Sequence, residues 1–353
     1  MKKNNNVNLI FIIMFIIMFI LLLIYIMYSR NKNKNKNKNK NKIINTHWHG
    51  RFGNRMFTYA FGCCYAKKYG CKYYYLSEWE GKKLFKNNPY SEPLINLDKE
   101  LSQELININD NNDKVKDAIS KYNKRSGDNL EFVYMNNNNI GKTNIAYNDF
   151  NIMYDMFDVY DKNFLKNEVF VFNNDVKNTE IYKNLQTVKN KYFVAHIRMG
   201  DICNIGYQGA HSCIGDKLKS KIPEINKEKL PEIIVSENKD MRKSKIDGFN
   251  LEIYNNKSKG HSWKQPEGEQ YVDEIIFDFL PDFLTLIHAK IILRSNSSFS
   301  YWGAFLNENQ NNIYSPIAIQ NKEDKYKVQD EIKIVEGNHP HFMGSQFKDI
   351  IIK

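Results

Sequence analysis

The chain has 353 residues, with 51 Lys and Arg against 40 Asp and Glu, for a formal net charge of +11. Nine of the positive side chains lie in residues 1–42, which hold no acid, so residues 43–353 carry 42 basic and 40 acidic groups. A basic field steering the folded part to nucleic acid is therefore excluded, and 17 Gly, 8 Pro and 5 Cys exclude collagen-like chains and disulfide scaffolds. Residues 43–353 are enough chain for two domains at about 100–200 residues each.

Residues 1–8 read as a short polar tail. Residues 9–27 are an unbroken apolar run, LIFIIMFIIMFILLLIYIM. At about 1.5 Å per residue it would span a bilayer core of about 30 Å. No polar face marks it as a buried globular helix, and no small-x-small site follows it as in a cleaved signal peptide. The reading is a transmembrane helix over 9–28, making the protein single-pass. Residues 29–42 alternate Asn and Lys and read as an extended stem, or as a polybasic tract against anionic lipid. Two lysines precede the run and seven basic residues follow it. By the positive-inside rule this flank favours a cytosolic-facing body.

Residues 43–46 form a short apolar strand, followed by His47-Trp48-His49-Gly50-Arg51-Phe52-Gly53-Asn54-Arg55. A helix is expected over 56–69, with Phe57, Ala60, Phe61, Cys64 and Tyr65 on one face and Gly70 as its stop. Residues 71–76 (CKYYYL) read as a strand. Strand, glycine loop, helix and strand open a doubly wound unit. No strand is placed in 77–150, which is polar and Asn-rich.

The pattern then restarts. Strands are expected at 192–197 (YFVAHI), 233–236 (IIVS), 251–254 (LEIY), 290–293 (KIIL) and 313–319. Helices are expected over 271–289, kinked or split at Pro281, and over 299–307. The fold class is α/β, with two facing Rossmann-like domains at 43–188 and 189–353 and a cleft between them.

Three segments carry chemistry. Gly50-Arg51-Phe52-Gly53-Asn54 links a strand to a helix start, where backbone N–H groups can meet phosphate; a tight structural turn is the alternative. His196-Ile197-Arg198-Met199-Gly200-Asp201 lies at the carboxyl end of a strand, where open α/β sheets bind ligands. Its arginine can hold a diphosphate and stabilise charge on a departing nucleotide; the alternative is an Arg–Asp pair pinning a loop. Ser295-Asn296-Ser297-Ser298-Phe299-Ser300 precedes a helix and offers hydroxyls and N–H groups to phosphate or ribose; a serine N-cap is the alternative. Asp201, Glu237 and Asp273 are candidate bases for an acceptor hydroxyl. No Asp-x-Asp, CxxC or HExxH occurs, so no metal site is indicated. Cys203 and Cys213 could pair in an oxidising lumen. Asn256-Lys257-Ser258 is a glycosylation sequon, and NHPHF at 338–342 has no reading.

In order and spacing, GRFGNRMFTYA (50–60), HIRMGD (196–201) and SNSSFSYWGAFL (295–306) resemble the α-1,2-fucosyltransferases, glycosyltransferase family 11. GRFGN and HIRMG are also similar to protein O-fucosyltransferases. The resemblance implies a metal-independent, inverting GT-B enzyme of the galactoside 2-α-L-fucosyltransferase type, with no cofactor. GDP-fucose would be the donor and a glycan hydroxyl the acceptor. It implies that Arg198 contacts the β-phosphate, that His196 lines the pocket, and that Gly53, Asn54, Ser297, Ser298 and Phe299 border the donor. It also implies a lumenal, Golgi- or ER-type catalytic domain, against the charge flank. Met199 stands where the family usually has a second Arg, and Arg55 where it has Gln. The alternatives are a protein O-fucosyltransferase-like enzyme, a transferase using another nucleotide sugar, and a non-catalytic, membrane-tethered glycan-binding relative.

Overall fold

The computed structural model describes residues 18–22, 25, 41–48, 50–108, 112–126, 132–135, 140–141, 144–147, 159–198, 222–255, 277–295, 297–315 and 348–349. Two parallel five-stranded sheets organise them. The first contains β1 (Lys42–Asn45), β2 (Lys72–Tyr75), β3 (Ser91–Pro93), β4 (Phe132–Tyr134) and β5 (Asn144–Tyr147), in the order β3-β2-β1-β5-β4. The second contains β6 (Phe193–Ile197), β7 (Glu232–Ser236), β10 (Ile291–Leu293), β11 (Ile313–Ser315) and β12 (Lys348–Asp349), in the order β12-β11-β10-β6-β7. A small antiparallel pair, β8 (Lys245–Ile246) and β9 (Phe249–Asn250), lies between β7 and β10 in the chain. Every pairing within the two large sheets is parallel. The order reverses between β1 and β5 in one sheet and between β6 and β10 in the other. Such switch points open a crevice at the carboxyl ends of the strands.

Helix α1 (Phe52–Tyr69) follows β1 and starts one turn before the expected 56–69. Gly70 ends it in the left-handed conformation at φ 65°, returning its N–H to Ala66 O. The helix is buried on almost all sides, not on one face: Phe52 to Ala66 are buried except Asn54. The first sheet covers one flank, where Phe61 meets Tyr147 at 5.3 Å between ring centroids. Helix α6 (Ser298–Leu306) covers another, through Phe57 with Trp302 at 4.8 Å and with Tyr301 at 5.1 Å. Phe52 stacks on Phe279 at 4.3 Å. One apolar core therefore runs from Ile43 and Ile44 through α1 to Trp302 and Phe305.

Strand alternation divides the second sheet. Val194 and Ile292 join that core, while Phe193, Ala195, Ile291 and Leu293 turn to a smaller cluster with Ile222 and Ile225.

Four expectations change. Among the described residues no helix is long and apolar enough to cross a membrane. The transmembrane helix over 9–28 is therefore not upheld, nor is a single-pass membrane localisation, lumenal or cytosolic-facing. Of that segment, Met18–Leu22 and Tyr25 are described, as helix, and the rest lies outside the described residues. Leu251–Asn255 is a helix rather than a strand, because Asn250 Oδ1 accepts from Glu252 N at 3.2 Å and starts it. Pro281 marks a helix start rather than a kink: of the expected 271–289, residues 277–279 are not helical and 271–276 lie outside the described residues. It sits in the first turn of α5 (Leu280–His288), where a missing N–H costs nothing. The described residues of 77–150 include three strands, β3, β4 and β5, and two substantial helices, α2 (Lys99–Ile106) and α3 (Asn112–Ser126). Asp98 caps α2 by accepting from Leu101 N at 2.7 Å.

Helix α5 is pinned to α4 (Glu180–Thr187) by His288. Its Nδ1–H donates to Leu284 O at 2.7 Å, which leaves Nε2 to accept from Gln186 Nε2 at 2.6 Å. Burial lowers the imidazole pKa below its ordinary value. The neutral ring is therefore the form the fold holds, and the unfolded chain binds the extra proton first. Stability should be full above the unfolded pKa of about 6.5 and fall as pH drops through it. Urea unfolding of wild type and His288→Gln at pH 7.5 and 5.5 should show the wild-type advantage shrinking at the lower pH. An advantage that does not change with pH would overturn this assignment.

Candidate active site at the strand carboxyl ends

The loops leaving β1, β6, β7 and β10 meet. Arg198 is the first residue after β6, and its Nη1 is hydrogen-bonded to Glu237 Oε1 in the turn after β7. The same carboxylate oxygen accepts from Arg51 Nη1 at 2.6 Å. Arg51 is the N-cap residue of α1. Guanidiniums from the β1 loop and the β6 loop thus share one carboxylate. The Arg198 side chain is 12% exposed, against 38% for Glu237. The arginine is the inner partner and the carboxylate the outer one.

His196 is the fourth residue of β6 and is buried. Its Nδ1 lies 2.5 Å from Ser295 Oγ, just past β10. That bond spans the switch point of the second sheet. The His196 ring also lies 5.8 Å from the Phe299 ring.

The α1 and α6 N-termini touch. Ser298 Oγ donates to Asn54 Oδ1 at 2.5 Å, across 244 residues of chain. A Cβ on Gly53 would sit 2.5 Å from Phe299 N and 2.8 Å from Ser298 Oγ, so only glycine allows the approach. Neither helix has an acidic residue in its first turn, and the side chains of the N-cap residues Arg51 and Ser297 make no cap bond. Two positive helix ends therefore face each other with Arg51 beside them. That arrangement repels itself unless an anion is present.

The candidate residues Gly53, Asn54, His196, Arg198, Ser297, Ser298 and Phe299 are thus brought into one neighbourhood. Asp201 and Asp273 lie outside the described residues, as do Met199, Cys203, Cys213, the 256–258 sequon and 338–342. Glu237, a candidate base, is engaged by two arginines through its Oε1.

Three features escaped sequence reasoning. The first is Arg51, which its motif does not mark and which joins Glu237 across the site. Arg55 is the second: its Nη1 pairs with buried Glu80 Oε1 at 2.8 Å and reaches Glu78 O at 3.3 Å, while its Nε donates to Gly50 O at 3.2 Å. This buried ion pair holds the turn that presents Arg51. The third is Glu78, just past β2, where burial pushes the carboxyl above the usual carboxylate range despite the pull of Arg55 and Lys82. No sequence signal marks Glu78 or Glu80 as different from surface acids.

Gly53→Ala should force α6 away from α1 and cost about 1–3 kcal/mol, as overpacking of a close contact does. Denaturant midpoints of the two chains measure it. An unchanged midpoint would show that the helix starts are not in obligatory contact.

No protein-family model matches the chain, and no curated protein does. Among solved structures, fucosyltransferase NodZ from Bradyrhizobium aligns with a TM-score of 0.35 at 11% sequence identity, over 76% of this chain and 94% of that one. Its selenomethionine form aligns with a TM-score of 0.35 at 10% identity, over 81% and 96%.

Proposed function

We propose that the chain is a glycosyltransferase that takes fucose from GDP-fucose and passes it to a glycan hydroxyl. The observation that carries this reading is the meeting of two uncapped helix N-termini with Arg198 at the switch point of a parallel sheet. Such a place suits a nucleoside diphosphate, whose phosphate oxygens would satisfy N–H groups from both helices and the guanidinium together. The three motifs supply the donor's identity by resemblance.

In this reading the acceptor oxygen forms a bond to the sugar C1 as the bond from C1 to the β-phosphate oxygen breaks. The bonding pair leaves with the phosphate, and the acceptor's proton passes to a base. Arg198 would meet the charge that builds on the leaving diphosphate, in a setting already shaped for an anion. His196, locked to Ser295, would keep the floor of the pocket fixed. Gly53 and Asn54 from one side and Ser297, Ser298 and Phe299 from the other would border the phosphates.

The test is to incubate the full chain with a panel of nucleotide sugars and glycan acceptors in EDTA and to measure nucleotide release. GDP-fucose should give release, and Arg198→Ala should lower its rate by about 10²–10³, the usual effect of removing one such donor. Release from another nucleotide sugar alone would change the donor. No release with any GDP-sugar, or full activity in Arg198→Ala, would overturn the mechanism.

A further inference from the structure

Glu237 has a place that the proposed chemistry does not yet use. It follows β7, the edge strand beside β6, so its side chain reaches toward the end of β6. It meets Arg51 and Arg198 through a single oxygen, Oε1. These arginines come from opposite halves of the chain. Two guanidiniums gathered beside two helix N-termini would repel each other and those ends without a counter-charge. Glu237 supplies that charge from within the chain.

The turn that carries it is held by its backbone. Asn238 N donates to Ser236 Oγ at 3.2 Å, and Arg242 Nη1 donates to Ser236 O at 3.0 Å. Arg242 is itself fixed by Asp282 Oδ1 at 2.5 Å. The Glu237 side chain is more than a third exposed. It can therefore swing out to water while the turn stays in place.

We infer that Glu237 is a tethered stand-in for the donor's diphosphate: in the free chain its carboxylate holds Arg51 and Arg198 as a two-armed clamp, and the incoming diphosphate takes over both arms. This rests on the reading of the site as a nucleoside-diphosphate site. It adds Arg51 as the second guanidinium, from the β1 loop, in a chain where Met199 stands at the position of a second arginine in the resembled family. It also gives the clamp a preference by charge. A diphosphate can replace the carboxylate on both arms, whereas an uncharged nucleoside gains nothing from them.

The test uses isothermal titration of the full chain with GDP, and with guanosine as an uncharged probe, at several salt concentrations. The comparison is between wild type and Glu237→Gln. Removing the internal competitor should tighten GDP on the order of tenfold and leave guanosine unchanged. Its salt dependence should steepen, because the clamp then has more net positive charge. Glu237→Asp keeps the charge with a shorter reach and should fall between the two, which keeps the test open if Glu237→Gln does not fold. A second comparison, Arg51→Gln, should weaken GDP and leave guanosine unchanged. Wild type that binds GDP while Glu237→Gln or Glu237→Asp binds it equally or more weakly overturns the stand-in role alone; the carboxylate would then be a ligand or a structural brace. Equal changes for GDP and guanosine would also overturn it. No GDP binding by wild type or any variant overturns the diphosphate site itself, and the stand-in with it.

Discussion

The structure depends on one close contact. The backbone of Gly53, in the first turn of α1, lies against Ser298 and Phe299 in the first turn of α6, with no room for a methyl group. Helix packing normally keeps axes about 8–10 Å apart because side chains intervene. Here a missing side chain lets two helix starts meet. Phe57, one turn on, then packs into Tyr301 and Trp302, and Phe52 reaches Phe279 and Phe283. The two sheets are joined through this pair of helices, and their switch points face the same place as a result.

That geometry has an electrostatic cost, and the surrounding residues answer it. Two helix dipoles point their positive ends into one region that also holds Arg51 and Arg198. Glu237 offsets part of this charge directly. Arg55 works one layer deeper. Its ion pair with Glu80 is buried, so breaking it would strand a charge in the core. Its Nε bond to Gly50 O fixes the turn in which Gly50 adopts φ 62° and from which Arg51 projects. An uncharged amide at position 55 could accept or donate hydrogen bonds there, but it could not neutralise Glu80.

Much of the second half was legible because its signals are local. YFVAHI, IIVS and KIIL are short β-branched runs, and they form β6, β7 and β10 nearly where expected. The Gly70 stop was readable because a left-handed position at a helix end favours one residue type. What failed was what depends on context. LEIY has strand composition, yet Asn250 caps it into a helix. The strands of 77–150 are three or four residues long and sit among Asn-rich loops, too short to set a period. The burial of α1 on nearly every side could not be read from one face of apolar residues, because its second cover, α6, lies more than 200 residues away. Hydropathy alone favoured a spanning helix at 9–28, and the described residues contain no such helix. In the site, the motif residues were legible as a set. The Arg51–Glu237–Arg198 triangle was not, since three loops far apart in sequence build it.

The shared core also bears on how the chain is made. Parallel sheets and long-range contacts fold slowly, because distant segments must be brought together before they are stabilised. During synthesis α1 emerges early, with Phe52, Phe57 and Phe61 among its apolar residues, while Phe279, Tyr301 and Trp302 have yet to be translated. At about 5–20 residues per second, that interval lasts on the order of ten seconds or more. For that time the first sheet can cover only one flank of the helix. The newborn chain would carry an aromatic surface open to chaperones or to self-association, and closing the site would coincide with hiding it.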